Sequence, residues 1–125
     1  MKPTILHHQP ESEFLTDELC HITELSNSAN DEELSIALAR VEPGVITRWH
    51  RLRETSERYV ILAGQGVVEI ADLPPRVVAP NDVAIIPPGC RQRITNSGSV
   101  DLLFYALCTP RFRPSVYEDM EPSPA

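Results

Sequence analysis

The sequence predicts an all-β barrel or sandwich, and three observations carry that expectation. About ten short runs of β-branched and aliphatic residues recur along the chain, each bounded by turn residues. The 12 prolines fall between these runs, not inside them, where each would remove a ladder donor. No stretch shows a convincing helical period of about 3.6 residues.

In chain order, residues 1–16 read as an irregular polar arm with a short leading strand at 4–8. Residues 18–25 alternate weakly and read as a strand, and 26–31 read as a turn by composition. Residues 34–41 alternate small and large side chains; a strand is expected, with a helix as the alternative that their Ala and Leu content leaves open. Short strands are then expected at 67–70, 76–79, 83–86 and 91–95, and a long apolar one at 101–108. Residues 109–125 form a proline-rich tail, extended or wrapped over the surface. The whole, 1–125, is expected to be one domain, long enough to bury a core without disulfides.

The stretch 43–66 is the one around which the rest is arranged. It opens on Pro43-Gly44 and closes on Gly64-Gln65-Gly66, with two strand-like runs between. The first, 46–52, puts Arg48, His50 and Leu52 on one face, because side chains alternate along a strand. The second, 57–62, does the same for Glu57, Tyr59 and Ile61. If the runs pair, His50 and Glu57 point into one interior, as a metal site, an acid/base pair or a structural contact. An inward carboxylate is costly unless paired, so Glu57 belongs to the site on every reading.

Composition narrows the classes. A net charge of −7 argues against nucleic acid, whose binding needs clustered cations. No apolar run approaches the ~20 residues of a membrane span, and nothing at the N-terminus reads as a signal peptide, so a cytoplasmic protein is expected. Cys20, Cys90 and Cys108 are widely spaced, which argues against both a disulfide framework and a zinc ribbon. Most arginines are expected in solvated ion pairs. His7 and His8 read as a solvated pair, His21 as structural, and Trp49 as packing between sheets or at a dimer interface.

Two motifs in this sequence resemble those of the cupins. The first runs Gly44, His50, Leu52, Glu57, Gly64, with Leu52 where the family has its second histidine. The second runs Asn81, Pro87-Pro88-Gly89, Gln92, Asn96, with Asn81 in place of a glycine and Gln92 in place of a histidine. The resemblance implies a double-stranded β-helix, or jelly-roll, cupin barrel. It also implies a weakened site for one divalent metal (Zn, Mn, Fe or Ni), held by His50, Glu57 and Gln92. Cys90, expected on the face of Gln92, could complete that shell; inert packing is the alternative for Cys90 and for Cys108.

The function implied is the binding or conversion of a small anionic or oxygen-rich molecule, in a homodimer. Arg48 and Gln92 would position that molecule, and Glu57 or Tyr59 would move a proton. Arg48 at the rim with its head in water, Tyr59 as a packed aromatic, and a metal-free binding or sensing barrel are the alternatives. An acid/base enzyme working through His50 and Glu57 without metal lies between the two.

Overall fold

The structure, a computed structural model, describes residues 1–122. Pro124, counted in the expected proline-rich tail, and its two neighbours lie outside the described residues. After a single 3-10 turn at Pro10–Ser12 come β1 (Phe14–Leu15), β2 (His21–Ser26) and β3 (Ser35–Val41). Next are β4 (His50–Leu52), β5 (Ser56–Ala63), β6 (Gly66–Ile70) and β7 (Arg76–Val78). The order ends with β8 (Val83–Ile86), β9 (Gln92–Asn96), β10 (Leu102–Thr109), a 3-10 turn at Pro114–Val116 and β11 (Tyr117–Asp119).

The strands form two antiparallel sheets. One has the order β1-β2-β3-β10-β5-β8 and the other β11-β4-β9-β6-β7. This is a jelly-roll, the double-stranded β-helix. The segment 34–41 is strand, not helix, because its small–large alternation buries Ser35, Ala39 and Val41 between β2 and β10. No strand forms at 4–8, whose side chains are all exposed.

β4 and β5 do not pair. β4 lies between β11 and β9, and β5 between β10 and β8. The chain reverses through an exposed turn at 53–54, where Glu54 takes a positive φ of 53°, and the second run enters the opposite sheet. His50 and Glu57 therefore face each other across the barrel, not along one hairpin.

The inward faces change character along the barrel axis. At one end Val41, Ile61, Ile94, Leu102 and Phe104 fill the interior. At the other, the same strands present Gln92, Glu57 and Cys108 inward. The apolar end is dry and close-packed, so it holds the frame while the polar end stays open. Gly66 permits that packing: a Cβ there would sit 2.8 Å from Leu102 Cδ2 and 2.9 Å from Thr95 O. Asn81, where the motif has glycine, takes φ 75°, a left-handed conformation that Asn tolerates better than most residues. Asn96 is buried and donates to the Val41 and Val100 carbonyls, each at 2.8 Å.

Candidate functional site

A cavity of about 630 Å³ opens at the polar end of the barrel. That is the size of a small-molecule site. His50 and Leu52 reach it from β4, Glu57 from β5 and Cys108 from β10. Leu52 thus points inward at the position of the second histidine of the motif and supplies only an apolar wall.

His50 is buried and fixed at three points. Its Nδ1 lies 2.8 Å from the Arg48 carbonyl, which can only accept, so Nδ1 carries a hydrogen and donates. Its Nε2 lies 3.1 Å from Glu18 Oε2. Its ring stacks on Tyr117 with centroids 5.3 Å apart. With Nδ1 donating, the Nε2–Oε2 contact is a hydrogen bond only if a proton lies between the two atoms. Either Glu18 is the acid and Nε2 the acceptor, or the imidazolium donates to the carboxylate. At that distance one proton is enough to join the two side chains. Burial pushes the Glu18 carboxyl up to about 7, so a proton on it is held to higher pH than on an ordinary glutamate.

Glu57 is only 8% exposed. Gln92 Nε2 donates to its Oε1 at 2.6 Å, and Tyr59 Oη donates in turn to Gln92 Oε1 at 2.5 Å. The Cys108 thiol lies 3.7 Å from Glu57 Oε2. Burial raises the Glu57 carboxyl; nearby His50 and the Gln92 bond pull the other way, and the charge of Glu18 adds to the rise.

The residues singled out from the sequence divide accordingly. His50 and Glu57 line the cavity; Gln92 and Tyr59 do not, and stand behind Glu57 as the chain of hydrogen bonds that holds it. Arg48 does not share the interior with His50. The backbone at 47–49 is irregular, with only a lone bridge at Ile46, so the expected alternation is lost and Arg48 turns outward. Its guanidinium pairs bidentately with Asp119 at 2.9 and 3.1 Å. Cys90 is half-buried against the apolar core and does not line the cavity; Cys108 does. Trp49 lies under Arg91 and Arg93, whose guanidinium carbons are 4.6 and 4.4 Å from the ring centroid. His7 and His8 are exposed, and His21 sits near Glu13 and Glu42 at 3.9 and 3.8 Å.

Glu18 and Tyr117 were not legible as site residues. Glu18 belongs to the turn between β1 and β2, held by the Arg48 amide donating to its carbonyl at 3.1 Å. Leu19, beside it, has a φ of 73°, a strained conformation for a branched side chain. Only the fold brings that turn to His50. Tyr117 arrives on β11, a strand within the proline-rich tail.

The donor set does not fit the divalent metal that the resemblance implies. Gln92 has spent its amide oxygen on Tyr59, Leu52 offers no donor, and the free nitrogen of His50 is on Glu18. Among the described residues no group of three or more His, Cys, Asp or Glu side chains could hold a metal ion.

The family model for the cupin domain matches residues 37–108, more than half of the chain, and the chain belongs to the cupins. No curated protein matches it in sequence. Among solved structures, it is similar to Pac13, described as a nucleoside dehydratase and also solved from Streptomyces with uridine. That likeness has 18% identity and a TM-score of 0.76, over 94% of this chain and 92% of that one. KdgF from Halomonas sp. matches at 14% identity and TM-score 0.77, over 91% of this chain and 98% of that one. A double-stranded β-helix protein of Klebsiella pneumoniae matches at 13% identity and TM-score 0.70, over 94% and 91%. At these identities the likeness establishes the fold.

Proposed function

We propose that this cupin binds a small molecule in the cavity and acts on it by general acid–base chemistry, through the proton shared by His50 and Glu18. The single observation that carries the reading is the 3.1 Å contact between Nε2 and Oε2, with Nδ1 already fixed as a donor. A buried pair holding one proton can pass it to an oxygen of a bound molecule. The two bare acceptors left facing each other then recover a proton from another position on that molecule or from water. This is the proton movement that isomerisation or loss of water requires. Glu57, held at the far side by Gln92 and Cys108, is the second carboxyl and the candidate partner in that transfer. The similar structure described as a nucleoside dehydratase, solved with uridine, lends support.

The reading assigns no role to a metal, on the donor chemistry given above. Arg48 and Gln92 act as positioning residues. Arg48 fixes the tail that carries Tyr117, and Gln92 orients Glu57. The homodimer implied by the resemblance is expected as a sedimentation mass twice that of the chain.

The test uses protein stripped with chelator and verified by elemental analysis. A panel of small hydroxyl- and amine-bearing molecules is screened by thermal shift, and hits are incubated with protein in deuterium oxide. Stabilisation that survives chelation, with deuterium entering a carbon position of the ligand in wild type but not in His50→Ala or Glu18→Gln, is expected. Binding without exchange would reduce the protein to a binding barrel. Exchange that appears only on adding metal would overturn the reading.

A further inference from the structure

The charges around the cavity are one-sided. Asp17 and Glu24 line it from exposed positions and Glu18 and Glu57 from more buried ones, whereas no lysine or arginine lines it. Arg48 is paired with Asp119, and Arg111, which also donates to Asn27 on the wall, is paired with Glu32. His50, the one lining group able to carry positive charge, already faces Glu18.

A second observation is independent of that acidic lining. Glu57 is 8% exposed, yet its two oxygens are unequally satisfied. Oε1 accepts the Gln92 amide, while Oε2 has only the Cys108 thiol at 3.7 Å, a weak donor on a residue that itself lines the cavity. A buried carboxyl oxygen on the cavity side without a strong donor is an acceptor waiting for one. The walls around it are apolar and aromatic, with Phe14, Phe112 and Tyr117 among them, and aromatic faces attract cations.

We propose that the cavity takes a small molecule bearing a protonated amine, with the ammonium donating to Glu57 Oε2 and the body lying against the aromatic wall. This rests on the reading of the cavity as a small-molecule site and names the charge of what enters it. An anion would meet Asp17, Glu24 and Glu57 with no lysine or arginine on the described wall to offset them. A phosphate or carboxylate is therefore disfavoured relative to a cation, which points within the anionic or oxygen-rich class drawn from the sequence to its non-anionic part. Burial raises the carboxyls of Glu18 and Glu57, and an ammonium beside Glu57 would offset that rise.

The experiment is calorimetry at neutral pH with three probes of like size: 2-phenylethylamine, 2-phenylethanol and phenylacetate. The amine is expected to bind about tenfold more tightly than either other probe, or about 1.4 kcal/mol. Its affinity is expected to fall several-fold at high salt and in Glu24→Gln, an exposed position whose change leaves the fold in place. Glu57→Gln is expected to abolish the preference for the amine. Equal or tighter binding of the alcohol or phenylacetate overturns the charge assignment and leaves the small-molecule reading standing. Failure of all three probes to bind also overturns it. The broader reading falls only if the panel of hydroxyl- and amine-bearing molecules in the chelated protein also gives no hit.

Discussion

Gln92 stands where the cupin motif has a histidine. A histidine there could offer a ring nitrogen to a metal. The glutamine instead joins Tyr59 to Glu57, accepting from one and donating to the other, and it is 1% exposed. Leu52, at the position of the motif's second histidine, offers no donor and adds an apolar wall. Supplying both donors should make a metal site: Leu52→His with Gln92→His is expected to bind near-stoichiometric zinc or nickel by elemental analysis, while the wild type retains none after dialysis. An unaltered metal content in the double variant would mean that these two positions do not control ligation. His50, Glu57 and Gln92 were legible because the motif spacing survives around them. Their partners were not. Motif spacing says which residues face inward but not which carboxylate a histidine chooses, and Glu18 lies 32 positions before His50 (50 − 18) on a short turn.

Among the elements, β11 decides how enclosed the cavity is. It pairs with β4 so that Tyr117 lies opposite Leu52 and Asp119 opposite His50. Ion pairs hold it down: Arg48 to Asp119, and Arg51 and Arg53 to Glu118. Arg48, Arg51 and Arg53 are thus clips for the tail. Exposed pairs of this kind stabilise little individually, and the stack of Tyr117 on His50 buries more. Tyr117→Ala is therefore expected to speed modification of His50 by diethylpyrocarbonate several-fold, while Asp119→Asn leaves the melting temperature nearly unchanged. Equal modification rates in Tyr117→Ala and wild type would show that the tail does not cover His50. This strand was hidden because four prolines in 109–125 read as an irregular tail, and its partner, β4, is only three residues long. The long strands were plain for the opposite reason: β5 and β10 carry eight residues each of strict in–out alternation.

Across the whole molecule, the carboxyls sort into two groups with opposite effects on stability. Glu13, Glu32 and Asp119 are held below their ordinary values, chiefly by hydrogen bonds from Arg40, Arg111 and Arg48. Their contribution is present above the unfolded pKa and is lost as pH falls through the folded one. Glu18 and Glu57 are raised by burial, so they bind protons more tightly folded than unfolded. Stability then declines as pH rises, for Glu18 between its ordinary 4.5 and about 7. The groups facing Glu18 are His50, Glu57, Asp17, Cys20 and Tyr117, and no lysine or arginine is among them to reverse that sign. The melting temperature is thus expected to peak on the acid side of neutrality. Glu18→Gln is expected to flatten the decline from about pH 5 to about pH 7. A wild-type profile that rises through that interval would contradict the burial of these acids.

The shared proton is tested most directly by nitrogen-15 NMR of the His50 imidazole in metal-free protein, from about pH 5 to about pH 9. The account predicts that Nδ1 stays protonated throughout, fixed by the Arg48 carbonyl. Nε2 is predicted to show a hydrogen bond whose signal follows the titration of Glu18, a pH dependence that disappears in Glu18→Gln. A bare Nδ1, or an Nε2 signal indifferent to Glu18 and displaced by added zinc, would contradict it.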